Sequence, residues 1–431
     1  MHTEMIYTPI IVQKKPILLN NLNRHLQTMD VFCVGLVFSR DQFRYQSYAR
    51  QYVEALLRLQ KQVAIFSPNW IELNQYFQIN FRDQSKRIHC FALSEIAYSS
   101  KKISSISLIS RHIQLRRTLK NAERRMGNQI DFLFFAPVED WIIPAFPINW
   151  LNRILPYAWS GLLTNMEAYG DLSHAGAKPV LPLHVDPNFK DPDYLLSSTN
   201  CLAVCTLDRF RSEQLKSRVY KKTIVMPDVS DYDLPKKTPV LIEQIKKMAQ
   251  GRMIVGTILL DHESIEHFAY LATVAAQEHY FFVCAGELSK EYLSEQDKKS
   301  LNNLLNAGRD NNYFILHNID DYEQINALVQ AFDVCYVNAG KDNLPHGILS
   351  KAAYFNKPVI GLKSQMNGKL IASFKLGIAV SKDPNESIQA LHTLRLQMPL
   401  SQNFNSAPLK NYALLQNQLH VKEAWEMLLW M

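Results

Sequence analysis

Two adjacent carboxylates, Glu139 and Asp140, follow the uninterrupted apolar run DFLFFA at Asp131–Ala136. A carboxylate delivered by the end of a buried strand can serve as a general base where it reaches a reacting hydroxyl. In a solvated turn the same pair would simply face water. A second cluster surrounds the start of an amphipathic segment near the C-terminus: Lys341, Asn343, His346, Gly347, Ile348 and Lys351. Backbone N–H groups at a helix start, with the helix dipole behind them, favour anions such as phosphates. Gly347 permits close backbone approach. Lys341 and Lys351 can each neutralise an anion or stand as solvated surface lysines. A third group is basic. Between residues 101 and 126 eight lysines and arginines face one acid, Glu123, so this segment alone matches the net charge of +7 carried by the whole chain. Arg116, Arg117, Lys120, Arg124 and Arg125 dominate it, and such a patch concerns a partner rather than the fold.

The elements that would position these groups alternate strand and helix. VFCVGLV at Val31–Val37 and QVAIFS at Gln62–Ser67 read as strands on either side of a helix reaching about Leu59, which is a βαβ unit. Further strands are expected at Arg87–Leu93, Asp131–Ala136, Ser160–Thr164, Asn200–Thr206 and Lys222–Pro227. Helices are expected at Ile109–Met126, near Asn149–Leu155 and at Asp208–Val219. After a Lys- and Pro-rich linker at Pro235–Pro239, strands at Met253–Leu259, Tyr280–Ala285, Tyr313–His317 and Val334–Gly340 alternate with helices at Ser264–Gln277, Ser294–Ala307, Tyr322–Phe332 and from about Pro345. Val359–Ile360 starts a further strand. Helices at Ser387–Leu396 and Leu409–Trp430 close the chain. The fold class is therefore α/β: two Rossmann-like, doubly wound domains facing a cleft. The boundaries are 1–225 for the first domain and 226–400 for the second. A helical segment at 401–431 is placed to pack back on domain one. In such sheets ligands bind at the carboxyl ends of the strands. That rule adds Gly256, Thr257, Gly286, Glu287, His317, Asn318 and Ile319 to the candidate site.

Composition bounds the rest. With 431 residues, 47% hydrophobic and 20% charged, the chain suits two soluble domains. It contains no run long and apolar enough for a spanning helix, and no signal peptide is read at its start, so a cytoplasmic location is expected. The six cysteines lie in apolar runs without C-x-x-C spacing and read as reduced core residues. His174, His184 and His346 lack ligand spacing, so no metal is expected. No nucleic-acid motif accompanies the basic segment.

Several stretches resemble the retaining family 4 glycosyltransferases, which have the GT-B fold. The resemblance covers residues 225–395 best and domain one in topology only. Val255-Gly256-Thr257 is similar to the family's first glycine turn of the donor domain, and Val283-Cys284-Ala285-Gly286 to a later one. NLPHGILSKAAYFNKPVI at Asn343–Ile360 resembles the donor-binding helix and the strand after it, and Leu376–Val380 the L-G-x-x-V strand. The resemblance implies transfer of a sugar, with retention, from a nucleotide-diphosphate donor to a glycan or lipid-linked acceptor. It implies donor contacts from Gly256, Thr257, Gly286, Glu287, His317, Asn318, Ile319, Lys341, Asn343, His346, Gly347, Ile348 and Lys351. Glu139 and Asp140 would face the sugar or the acceptor, and no cofactor is implied beyond the nucleotide-sugar substrate. The family's paired glutamates, eight positions apart, correspond to Asn343 and Lys351 here, and lysine has no acceptor for ribose hydroxyls. That departure keeps open a catalytically silent GT-B-like partner subunit, or a nucleotide-sugar epimerase. The basic helix beside Trp141 would suit an anionic membrane, peripheral to its inner face.

Overall fold

The protein is described by a computed structural model covering residues 32–40, 43–94, 105–142, 147–164, 194–258, 263–276, 278–286, 310–315, 317, 319, 321–337, 347–397 and 406–430, with 295, 299, 302 and 303. The strands form two all-parallel sheets. The first contains β1 (Cys33–Phe38), β2 (Gln62–Ser67), β3 (Ile88–Ala92), β4 (Phe132–Ala136), β5 (Ala158–Leu163), β6 (Cys201–Thr206) and β7 (Lys222–Val225) in the order β3-β2-β1-β4-β5-β6-β7. The second contains β8 (Met253–Ile258), β9 (Tyr280–Ala285), β10 (Asn312–Ile315), β11 (Val334–Val337), β12 (Val359–Leu362) and β13 (Gly377–Val380) in the order β10-β9-β8-β11-β12-β13. The central strands are apolar throughout because helices cover both faces. Each order reverses direction once, between β1 and β4 and between β8 and β11, and those reversals open a crevice at the carboxyl ends.

One aspartate sets the register at each reversal. Asp131, just before β4, accepts from the Phe32 and Cys33 N–H groups at 2.9 Å, and its own N–H donates to the Cys33 carbonyl at 3.0 Å. Asp333, just before β11, accepts from the Ile254 N–H at 2.8 Å and donates to the Ile254 carbonyl at 2.8 Å. The two domains thus use the same clamp at the amino edge of the same strand pair.

The helices are α1 (Phe43–Arg58), α2 (Trp70–Asn80), α3 (Ser105–Met126), α4 (Ile148–Ile154) and α5 (Arg209–Lys216) around the first sheet. Around the second are α6 (Val240–Ala249), α7 (Glu263–Val274), α8 (Tyr322–Ala331), α9 (Ile348–Tyr354), α10 (Met366–Phe374) and α11 (Pro384–Gln397). The terminal segment expected as one helix is two, α12 (Ala407–Leu415) and α13 (Gln418–Leu429). Asn417 breaks it: its side chain leaves the helical path and caps α13 by accepting from the His420 N–H at 3.0 Å. The helix expected at 294–307 lies almost wholly outside the described residues. α2, α6 and α10 are helices that the sequence reading did not anticipate.

The chain crosses between the domains twice. Residues 226–239 lead from β7 to α6, and Met226 and Val229 are buried in the domain-one core. On the return, α12 packs on α9, while α13 packs on α1. Trp425 of α13 is fully buried against Tyr52 and Phe134.

Candidate active site

At the reversal of the first sheet, β1 delivers Ser39 and Arg40, and β4 delivers Glu139 and Asp140 on a short turn at Val138–Asp140. Asp140 Oδ2 accepts from Ser39 Oγ at 2.6 Å and from Arg40 Nε at 2.9 Å, and Arg40 Nη2 donates to Oδ1 at 2.5 Å. This is a bidentate pair, with Asp140 buried and Arg40 half-buried. Glu139 accepts from the Thr164 N–H, 3.2 Å from each oxygen, and from the Thr164 hydroxyl. Arg211 of α5 donates to the Thr164 carbonyl at 2.6 Å and lies 3.4 Å from Asp208. From α3, Arg111 donates to the Asp140 carbonyl at 3.1 Å, and His112 Nε2 sits 3.0 Å from the Trp141 carbonyl.

Burial governs the electrostatics. It pushes the Glu139 carboxyl above the usual carboxylate range, against the opposing pull of the Arg40 charge. It lowers the Arg211 and Arg111 guanidiniums, against the pull of Asp208 and Asp140. Burial also pushes the thiols of Cys33, Cys90, Cys201, Cys205 and Cys335 up to about 12, which keeps them protonated and unreactive.

Glu139 and Asp140, expected as a general base, are both engaged within the protein in this structure. Both are buried, both are bonded to protein donors, and together they brace the turn against β1 and β5. The groups that complete this brace, Ser39, Arg40, Arg111, His112, Thr164 and Arg211, were not among the expected site residues. Ser39 and Arg40 could have been found, because they immediately follow the first strand of a doubly wound sheet.

On the second sheet, Gly256 lies inside β8 rather than at its end. A Cβ there would meet the Phe332 ring at 2.2 Å, so packing against that ring requires a glycine here. Thr257 is buried beside it in β8, and Cys284 of β9 is its register partner. Gly286 does follow a strand end: its φ of +132° suits glycine alone, and its N–H donates to the Ile315 carbonyl at 3.0 Å. His317 is exposed, while the Ile319 side chain belongs to the core. Glu287, Asn318, Lys341, Asn343 and His346 lie outside the described residues.

The start of α9 is occupied by the interdomain linker. Gly347, at φ +64°, donates its N–H to Asp228 Oδ2 at 3.2 Å. Ser350 Oγ donates to the Asp228 carbonyl at 2.7 Å, and Tyr48 of α1 donates its hydroxyl to Asp228 Oδ1 at 2.6 Å. Ile348 is buried in the core. Lys351 is buried, donating from Nζ to the Asp231 carbonyl at 2.6 Å and to the Asn326 side chain. The phosphate contact expected of Lys351 is replaced by this internal one. Burial lowers its ammonium to about 8, against the pull of Asp231 and Asp228. Asp231 in turn binds Arg50 at 3.2 Å and Gln51 at 3.0 Å on α1. One buried polar knot thus joins α1, the linker, α8 and α9.

Away from the cleft, Arg116, Arg117, Lys120, Arg124 and Arg125 are exposed on α3. Trp141 is not beside them at the surface: it is 3% exposed and packs on His112 and Phe135, so its expected membrane or acceptor contact is withdrawn. The turn after β4 folds the indole inward. Among the described residues no group of three or more His, Cys, Asp or Glu side chains gathers to hold a metal, and no helix is long and apolar enough to cross a membrane.

No family model matches the chain, and no curated protein matches it in sequence. Solved structures do. A glycosyltransferase from Rickettsia africae aligns at 12% identity and TM-score 0.59 over 93% of this chain and 98% of its own. The trehalose-6-phosphate protein from E. coli, bound with UDP-2-fluoro glucose, aligns at 12% identity and TM-score 0.63 over 93% and 99%. Anabaena HepE in complex with UDP and glucose aligns at 12% identity and TM-score 0.59 over 92% and 99%. The fold is GT-B: two doubly wound α/β domains joined by one linker and a returning C-terminal helix.

Proposed function

We propose that the protein is a glycosyltransferase that takes a nucleotide-diphosphate sugar in the crevice between the two sheets and passes the sugar to a glycan or lipid-linked acceptor. The observation that carries this reading is the end-to-end likeness to proteins solved with UDP, UDP-2-fluoro glucose or glucose. On this reading the two sheet reversals, each at a carboxyl edge, would serve as two half-sites, one for each substrate. On this reading the donor lies over the carboxyl edge of β8, β9 and β10, near Gly286, Glu287, His317, Asn318 and the main chain of Ile319. Lys341, Asn343 and His346 would border its diphosphate, and no metal is invoked to stabilise the leaving group. Retention of configuration is the outcome in the family that the second domain resembles. The brace around Asp140 and Glu139 would hold the acceptor wall in place.

A second reading has its own observation. The Gly347 N–H is bonded to Asp228 and Lys351 to the linker, so two groups expected to meet the donor are engaged internally. A binding or partner subunit without turnover would tolerate this. Thermal unfolding with UDP, GDP, ADP and TDP tests the shared part of both readings. A ligand at about 100 times its Kd adds roughly 2.7 kcal/mol to stability. A raised melting temperature with one nucleotide is expected. Unchanged unfolding with all four would remove nucleotide binding from the account.

A further inference from the structure

The basic face of α3 continues onto α4. At 3.6 residues per turn, Ile113, Arg116, Arg117, Lys120 and Arg124 fall within about 100° of arc. Leu115, Leu119 and Ala122 occupy the opposite side and are buried in the domain-one core. The one acid in the segment, Glu123, is buried, pairing with Lys120 at 2.8 Å and accepting from the Ile130 N–H at 3.2 Å, so the net charge of the face rests on the arginines. Arg116 donates to the Arg153 carbonyl of α4 at 3.0 Å, which sets the two helices side by side. Arg153 is exposed, and so is Trp150, one turn earlier on the same short helix at 37%. Ile113 is exposed at 38% within the basic arc.

Cations alone would fit any polyanion. Cations with an exposed tryptophan and isoleucine among them fit an interface that is anionic outside and apolar a few ångströms in. We infer that α3 and α4 together form a membrane-docking surface for anionic phospholipid, with Arg116, Arg117, Arg124 and Arg153 on the headgroups and Trp150 at the headgroup–acyl boundary. This goes beyond the glycosyltransferase reading and does not depend on it, since it requires neither donor nor turnover. It also places the attachment on domain one. Arg111 and His112, on the same helix, bond the turn after β4, so the docked face and the acceptor side of the crevice belong to one rigid body.

The test is flotation of the full chain with phosphatidylcholine vesicles, with and without phosphatidylglycerol. Binding is expected only with phosphatidylglycerol, and it should fall steeply as salt is raised, because surface attractions are screened beyond about 8 Å at physiological ionic strength. Replacing Arg116, Arg117 and Arg124 with glutamine should lower the partition coefficient on the order of 100-fold. Trp150→Ala should weaken binding while leaving its salt dependence in place. Lys246→Gln with Lys247→Gln, on the second domain, should change nothing. Unaltered thermal unfolding of each variant separates lost docking from lost folding. Equal binding to neutral and anionic vesicles, no binding, or undiminished binding by the triple variant would overturn the proposal. So would loss of vesicle binding alongside tight, salt-sensitive binding of RNA. Failure here leaves nucleotide-dependent unfolding untouched, so the two ideas fall separately.

Discussion

At the scale of single residues, the carboxylates act as braces. Arg40→Met would leave Asp140 buried without its bidentate partner, and breaking one half of such a pair costs about 3 kcal/mol. A lowered urea midpoint at unchanged slope is expected. Glu139 and Lys351 give opposite pH signatures. The Glu139 carboxyl is raised in the folded state, so its contribution is fully present below the usual carboxylate range and lost as pH rises through the raised value. Glu139→Gln should flatten that limb of a stability–pH curve; an unchanged limb would assign it to other groups. Lys351 is lowered to about 8, so the folded protein releases this proton before the unfolded chain does. Between about 8 and the ordinary lysine value, its contribution to stability therefore rises with pH. Lys351→Met should abolish that rise. None of these roles could be read from residue type. A lysine one turn into an amphipathic helix looks solvated or phosphate-bound until the Asp231 carbonyl and Asn326 are brought to it from distant parts of the chain.

At the scale of elements, legibility followed burial. β1, β4 and β9 are unbroken apolar runs, and the reading placed each within a residue or two. The single terminal helix failed at Asn417, where a side-chain cap decided the break. Gly256 shows a different limit. A glycine near a strand end reads equally as a turn or as a site of close approach, and only the fold brings Phe332 over it. Gly256→Ala should destabilise the second domain by about 3 kcal/mol through overpacking. Phe332→Leu should recover part of the loss, and a double-mutant cycle with no coupling would contradict this packing. The α3 charge pattern was plain in the sequence, but which tryptophan is exposed near it was not. Trp141 folds inward and Trp150 faces out, and the turn that decides this is held by bonds from α3.

At the scale of the molecule, two crossings and one polar knot join the domains. Trp425 seals the domain-one core from the far end of the chain, so Trp425→Ala should cost about 4 kcal/mol although it touches neither sheet reversal. The two-domain architecture was legible because strand and helix alternate twice over and the same aspartate clamp stands before β4 and β11. The candidate site was legible only as strand ends, since side chains there are committed by neighbours that the sequence does not reveal. On the proposed function, this GT-B crevice turns over a nucleotide sugar. The direct measurement is release of nucleoside diphosphate from a panel of UDP-, GDP-, ADP- and TDP-sugars by the full chain. Release from one nucleotide class is expected, with the matching free nucleotide raising the melting temperature. No release from any donor, together with no nucleotide-dependent stabilisation, would contradict it.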